Sequence, residues 1–263
     1  MTSLPATHAS PALAAWPVRK IQTADLDWAL AEGWKDFLAK RGDLVVVAVL
    51  YPLIGLISAA LVLNEALLPM FFPLVTGLSL MGPAVASGFY ELASRRELGL
   101  SSSWFHFFDP LRGRSRGGLI GLTAILLAIF VAWQVAAGVI YETTLGGVRN
   151  LGLADFTTRI FTTPEGWTMM FLGNLVGFAF AILTLVITVV AFPMVVDKPV
   201  SAGAAVSTSL RAVRANPGVI ANWGLRVAVL LLLGCLPAFI GLAVVLPLLG
   251  YATWHLYTRL VER

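Results

Sequence analysis

The chain has 263 residues, of which 58% are hydrophobic and only 12% are charged, and its net charge is +4. A soluble domain carries roughly 25% charged residues, so this composition excludes an ordinary soluble globular protein. Cys235 is the single cysteine, which excludes an internal disulfide and a thiolate metal site and indicates a packing residue. The basic residues flank apolar blocks, which favours a role in membrane orientation over a nucleic-acid partner.

The N-terminal region divides into two predicted segments. Residues 1–22 are rich in Pro, Ala and Thr and lack an apolar core, which predicts a flexible tail and no cleaved signal peptide. Residues 23–43 predict an amphipathic helix, with Thr23 as its N-cap and Gly42 as its end. Its apolar side carries Trp34, so we expect it to lie along the membrane surface. A soluble helix packed on its own loops is the alternative.

Residues 44–263 predict a transmembrane domain, because their apolar blocks are long enough to cross ~30 Å of hydrocarbon as helices. The last block, 219–257, would be nearly twice that length as one helix, and it has a natural break at Pro237. The expected fold is therefore an all-α, polytopic bundle with amphipathic interfacial helices. The six predicted spans are 44–63, 67–90, 118–141, 167–196, 219–236 and 238–257.

The basic residues orient this bundle. All but two of the 18 Lys and Arg residues fall on one side of the six-span layout, and Arg149 and Arg159 are the exceptions. Basic residues near span ends stay in the cytoplasm, so both termini are expected there. A five-span layout would move Arg259 and Arg263 to the other side, and the basic residues would then be divided less unequally between the two sides. Five spans remain the alternative.

A second amphipathic segment lies between the fourth and fifth predicted spans. Ser201 is a candidate N-cap, and Asn216-Pro217 ends the helical pattern. We expect its apolar side to face the membrane and Arg211 and Arg214 to face headgroup phosphates. A solvated cytoplasmic helix is the alternative.

Three prolines lie in the inner parts of helices that run toward the cytoplasm, namely Pro83, Pro193 and Pro247. Each removes one backbone hydrogen bond and is expected to bend its helix. Such breaks line the substrate site of some transporters, and in other membrane proteins they only shape the bundle.

Two embedded polar residues, Gln134 and Asn174, fall at the same outer depth of the third and fourth predicted spans. We expect them to hydrogen-bond to each other as contacts between helices. Gly173 and Gly177, spaced as GxxxG around Asn174, favour close helix packing at the same level.

Four span ends bring polar residues to the inner membrane face. The candidate cluster there consists of Glu91, Arg95, Asp197, Asn222, Arg226 and His255. Arg226 lies one to two turns inside its span, so it must extend toward the headgroups or pair with Glu91 or Asp197. An interfacial belt of basic and aromatic residues would occupy the same level, so a binding pocket and a belt both remain open.

Six segments in order along the chain carry a resemblance. They are GWKDF (33–37), GPAVASGFYELASRREL (82–98), TTPEGW (162–167), FPMVVDK (192–198), SLRAVRANP (209–217) and GYATWHLYTR (250–259). Together they resemble an uncharacterised family of bacterial integral membrane proteins, a domain of unknown function whose members are sometimes labelled cytochrome c oxidase subunits. The resemblance implies a multi-pass protein of the bacterial inner membrane and no established activity. Tyr251 departs from the histidine expected in the last segment.

An oxidase catalytic subunit needs several buried imidazoles to hold haem and copper. The three histidines here are His8, His106 and His255, and none is expected at mid-membrane. We therefore expect no haem–copper catalytic role, no cofactor and no metal site.

The favoured function is a non-catalytic membrane protein that acts through membrane partners, for example as an accessory of a respiratory complex. The expected surroundings are the lipid bilayer and other membrane proteins. The alternative is a small transporter or channel that uses the polar inner cluster. A membrane enzyme acting on lipid headgroups, with His255 and Asp197 or Glu91 as acid and base, is a third hypothesis. No nucleophile motif or phosphate-binding glycine loop supports it.

Overall fold

The computed structural model of the chain describes residues 16–39, 55, 70–146, 153–237 and 240–263. Within these ranges the regular elements are helices. They are α1 (Thr23–Ala39), α2 (Phe71–Leu80), α3 (Gly82–Glu97), a 3-10 helix (Trp104–Leu111), α4 (Arg116–Thr144), α5 (Leu153–Thr162), α6 (Pro164–Thr188), α7 (Ala191–Asp197), α8 (Ala202–Ala215), α9 (Pro217–Cys235) and α10 (Leu242–Leu260).

Four helical stretches in the described part of the chain are long and apolar enough to cross a membrane. They are Phe71–Glu97, Arg116–Thr144, Pro164–Asp197 and Pro217–Cys235. They coincide with the second to fifth predicted spans, and an all-helical membrane bundle is thereby confirmed. The first predicted span, 44–63, lies outside the described residues.

Helix α10 occupies the place of the sixth predicted span, but it is not among those four stretches. Its second half, from Gly250 to Leu260, mixes aromatic and polar residues and is largely buried. Helices α1, α3 and α9 pack around it, so α10 lies at the centre of the protein's core. Its polar character therefore reflects packing against protein, where a lipid-facing span would need apolar residues.

Helix α1 is present as predicted, and one side of it packs on the protein. Leu26, Ala29, Gly33 and Phe37 are buried, and the helix packs along α10. A Cβ atom at Gly33 would lie only 2.7 Å from the backbone nitrogen of Ala252, and small residues one turn apart allow this close approach. Trp34 and Leu38 of the predicted apolar side are 43% and 36% exposed, so the placement of α1 along the membrane surface stays a prediction.

The two ends of the described chain are joined. Val18 and Val261 form an antiparallel bridge, and the backbone N–H of Arg19 donates to Leu260 O at 2.8 Å. The side chain of Asn216 accepts from the N–H of Ile21 and donates to Arg19 O, both at 2.9 Å. Residues 16–22 are thus fixed to the core, against the expectation of a tail over 1–22. Residues 1–15 lie outside the described part.

The joined ends favour an even number of membrane crossings, as in the six-span layout. The five-span layout, which would put the two ends on opposite sides of the bilayer, stays the alternative. The cytoplasmic orientation of the joined ends remains a prediction.

Two of the three prolines accompany helix breaks. Met81 separates α2 from α3, with Pro83 in the first turn of α3. Val189 and Val190 separate α6 from α7, with Pro193 in the first turn of α7. Pro247 lies inside α10, which continues past it. Proline is well tolerated in a first turn, where its missing N–H has no intrahelical partner.

Helix α8 starts and ends as predicted. The Oγ of Ser201 accepts from the N–H of Ala204 at 3.3 Å, and Asn216 follows the last helical residue. Its buried side carries small and hydroxyl residues, including Ala205, Thr208 and Ser209, and packs on α6 and α7. Of the residues expected to face the membrane, Ala205 is buried, and Ala204, Leu210 and Val213 are half-buried, so their contact with the membrane stays a prediction.

Candidate functional site

The inner half of α10 is surrounded by charged side chains from other elements. Asp36 of α1 reaches His255 of α10, where Oδ2 lies 2.8 Å from Nε2. The other carboxylate oxygen of Asp36 lies 3.0 Å from a guanidinium nitrogen of Arg96 at the end of α3. The same guanidinium donates to Lys35 O at 3.1 Å. Asp36 therefore connects three helices.

A second series of contacts begins at Glu97, which follows Arg96 in α3. Glu97 accepts from Trp254 Nε1 at 3.2 Å and from Arg263 at 2.6 Å. Arg263 also lies 3.4 Å from Asp197 at the end of α7. Asp197 accepts from the hydroxyl of Tyr257 at 2.7 Å. The guanidinium of Arg263 additionally stacks over the ring of Trp254.

These contacts form what we call the inner charged network, which consists of Asp36, Arg96, Glu97, Asp197, His255, Tyr257 and Arg263. It ties together α1, α3, α7, α10 and the C-terminal residues. The side chains of Asp36 and His255 are only 10% and 13% exposed. Charges at this depth are stable only when paired, so the network fixes the relative positions of these elements.

Two of the six predicted cluster residues, Asp197 and His255, lie in this network. Their partners differ from those expected, because His255 pairs with Asp36 and not with Asp197 or Glu91. The ring of His255 also meets the edge of Trp28, with centroids 5.6 Å apart. The proposed acid–base pairing of His255 with Asp197 or Glu91 is therefore not formed.

Glu91 and Arg95 lie at a neighbouring contact between α3 and the 3-10 helix. Arg95 is 3.6 Å from Glu91 and 3.4 Å from Asp109, and its Nε donates to Ser101 O at 2.6 Å. Asp109 in turn lies 2.7 Å from Nδ1 of His106. This group holds the 3-10 helix against α3.

Asn222 and Arg226 form a third contact. Arg226 Nε donates to Asn222 Oδ1 at 2.8 Å, and its guanidinium pairs with Asp27 of α1. The expected partners Glu91 and Asp197 are therefore wrong. The six residues predicted as one cluster are distributed over three separate contacts around α3, α9 and α10.

The expected hydrogen bond between Gln134 and Asn174 is not among the hydrogen bonds of the described residues. Asn174 Nδ2 donates to Met170 O of its own helix at 2.8 Å. Asn174 is exposed, and the buried Oε1 of Gln134 has no hydrogen-bond partner. The predicted helix-to-helix contact at this level is therefore wrong.

The predicted cluster did not include five residues of this network, namely Asp36, Arg96, Glu97, Tyr257 and Arg263. The signal for Asp36 is its position in α1, since it follows Leu26, Ala29 and Gly33 at the three- and four-residue spacing of one helix face. An acidic residue on a buried face needs a cationic partner. The periodicity could thus have predicted a partner for Asp36, but not which helix supplies it.

The geometry provides a buried carboxylate–imidazole pair, but its groups are already joined to Arg96 and to α1. In the part of the chain that the structure describes, no group of three or more His, Cys, Asp and Glu side chains is arranged to hold a metal ion. The arrangement is that of a set of structural ion pairs at helix ends.

Residues 71–197 match the family described as predicted integral membrane protein (DUF2189). This chain is therefore similar, over slightly less than half its length, to an uncharacterised family of integral membrane proteins. The resemblance drawn from its motifs is confirmed to that extent. The DUF2189 segment runs from α2 to α7 and contributes Arg96, Glu97 and Asp197 to the inner charged network. No curated protein and no solved structure matches the chain.

Proposed function

We propose that this integral membrane protein is non-catalytic and acts through membrane partners, for example as an accessory of a respiratory complex in the bacterial inner membrane. The ionisable residues of the inner charged network are paired with one another, which supports a structural role for them. A partner would then bind on an outward face of the bundle.

The observation that carries this proposal is the outward face of α6. Asn174 is exposed there, between the exposed apolar side chains of Phe171, Leu175 and Phe178. The face thus combines one polar side chain with three large apolar side chains that no other part of the described protein covers.

This combination suits a second transmembrane helix better than lipid. Nδ2 of Asn174 donates to Met170 O, but Oδ1 has no hydrogen-bond partner among the described residues, and a neighbouring helix can supply one where hydrocarbon cannot. We therefore assign the partner-binding surface to Phe171, Asn174, Leu175 and Phe178.

The test is affinity purification from native membranes in mild detergent, comparing the wild type with Asn174→Leu. We expect specific membrane proteins to co-purify with the wild type and their yield to fall several-fold with the variant. Loss of one interhelical hydrogen bond costs about 0.6–2 kcal/mol, which corresponds to such a decrease.

Gly138→Leu is the control, because Gly138 lies in the membrane-spanning helix α4 and its surroundings can hold a larger side chain. It should leave the co-purified proteins unchanged. Co-purification that is equal in Asn174→Leu and wild type would contradict this partner surface. A wild type that retains no stable partner would contradict the proposed function itself.

One observation favours the alternative of a small transporter or channel. The break between α6 and α7 is buried, and the N–H of Val190 lies 3.4 Å from Ser209 Oγ of α8. Thr184 is also buried near this break, and its hydroxyl has no hydrogen-bond partner in the described structure. Broken helices with exposed backbone groups bind substrates in transporters. Solute-dependent swelling of proteoliposomes, absent from empty liposomes and altered by Thr184→Val, would favour this function over the first.

A further inference from the structure

The 3-10 helix between α3 and α4 has one face fixed to the protein. Trp104 stacks on Phe107 with ring centroids 4.6 Å apart, and Phe107 meets the edge of Phe89 at 5.0 Å. The ring of Phe107 covers Gly88 of α3 so closely that any Cβ atom there would clash with it. Pro110 is also buried.

Ionic contacts fix the rotation of this short helix about its own axis. Asp109 is held by Arg95 of α3 and by His106 of its own turn, and Arg95 also binds the carbonyl of Ser101. Aromatic packing and ion pairs therefore determine which side chains of the helix point away from the protein.

The outward face is apolar. Phe105 is 83% exposed, and Phe108 and Leu111 are 45% and 53% exposed. Phe108 meets the edges of the half-buried Trp104 and Phe107, with ring centroids 6.3 and 5.3 Å apart, and is still 45% exposed. These contacts within the described chain do not explain why the exposed Phe105 and Leu111 are apolar. A rigid, exposed aromatic surface of this kind is typical of a membrane or protein contact.

Three arginines follow immediately, at positions 112, 114 and 116. Arg112, Arg114 and Arg116 are all exposed, and within the described residues none lies within ion-pair distance of a carboxylate. Their positive charge is therefore available for an anionic partner.

The position of this segment decides which partner it fits. It directly connects two membrane-spanning stretches, Phe71–Glu97 and Arg116–Thr144, so it must lie at the edge of the bilayer. The apolar side chains can enter the headgroup boundary while guanidinium groups bind phosphates beside them.

We propose that Phe105, Phe108, Leu111, Arg112, Arg114 and Arg116 form a headgroup surface that binds anionic phospholipids of the protein's own bilayer. The arginines select the negative headgroup by charge-assisted hydrogen bonds, and the apolar residues place them at the correct depth. This surface is separate from the partner-binding face of α6.

The test uses full-length protein in an uncharged detergent, with phosphatidylglycerol or phosphatidylcholine added and bound lipids counted by native mass spectrometry. We expect the wild type to retain phosphatidylglycerol in preference to phosphatidylcholine. The variant Arg112→Gln/Arg114→Gln/Arg116→Gln should lose at least about fivefold of that preference, because each guanidinium contributes electrostatic attraction. Phe105→Ser/Phe108→Ser should lower retention of both lipids.

The variant Lys20→Gln/Lys35→Gln/Arg159→Gln is the matched control, because it removes the same charge from three exposed sites elsewhere. It should keep the wild-type preference. Equal preference in wild type and the arginine variant, or equal loss in the control, would overturn the proposal. Displacement of the lipid by millimolar inorganic phosphate would indicate a free-phosphate site and would overturn it as well. Unfolding temperatures in lipid-free detergent verify that all variants fold.

Discussion

Asp36 and His255 illustrate how individual polar residues act in this protein. Asp36 of α1 contacts His255 of α10, and both side chains are largely buried. Each also contacts a further side chain, Arg96 for Asp36 and Trp28 for His255. A buried charge is costly when it is alone, so each such residue requires its partner in the folded state. The polar residues at the inner helix ends thus stabilise the arrangement of the helices.

Asp36→Ala should lower the free energy of unfolding by about 3 kcal/mol, because it leaves Arg96 and His255 without their shared carboxylate. Thermal unfolding in detergent measures the change. Glu32→Ala on the same helix is the control, since Glu32 pairs only with the exposed Lys35, and such pairs contribute about 0–1 kcal/mol. Equal effects of the two substitutions would show that the Asp36 contacts do not stabilise the fold.

Gly33→Ala should destabilise the protein by about 1–3 kcal/mol, because the added Cβ atom meets the backbone of Ala252, which cannot move alone. The control is Gly203→Ala in α8, where nothing lies within 4 Å of the added atom. Alanine has the higher helix propensity, so the control should be neutral or slightly stabilising. A neutral Gly33→Ala variant would mean that α1 does not pack closely on α10.

At the scale of elements, prolines and amphipathic patterns had different predictive value. Pro83 and Pro193 were expected to bend helices, and each follows a break. Pro247 was also expected to bend its helix, yet α10 continues through it. Neighbouring helices pack on several sides of α10 and support it there. For α1 and α8 the helical periodicity predicted the element, but it did not predict which surface covers the apolar side.

Ser209→Ala should destabilise the break between α6 and α7 by about 1–3 kcal/mol. The Ser209 hydroxyl donates to Val186 O at 2.8 Å and lies near the N–H of Val190, so its loss leaves buried backbone groups unpaired. Ser207→Ala is the control, because Ser207 bonds only to Ala204 O of its own helix. The unfolding temperatures of the two variants measure this difference. A decrease for Ser207→Ala that is as large as that for Ser209→Ala, or larger, would contradict the stabilising role of Ser209.

At the scale of the whole molecule, the pairing of the two ends is relevant to the number of membrane crossings. Val18 and Val261 pair directly, and Asn216, between α8 and α9, binds the N-terminal segment at Arg19 and Ile21. This pairing favours an even number of crossings, as in the six-span layout.

Reporter fusions should place both ends in the cytoplasm. A green fluorescent protein fused at either end should fluoresce, and alkaline phosphatase fused at the C-terminus should be inactive, because nearly all basic residues lie on that side. A phosphatase fusion at Arg149 is the positive control and should be active. An active phosphatase at the C-terminus would contradict the orientation.

The sequence by itself determined the helical membrane class, the four apolar stretches from Phe71 to Cys235 and the caps of α8, because these depend on local composition and on neighbours a few residues apart. It also predicted which residue types collect at the inner helix ends. Only the tertiary structure decided their partners: Asp36 with His255 and Arg96, and Arg226 with Asp27. These contacts join residues far apart along the chain, and helical periodicity carries no information about which two faces meet.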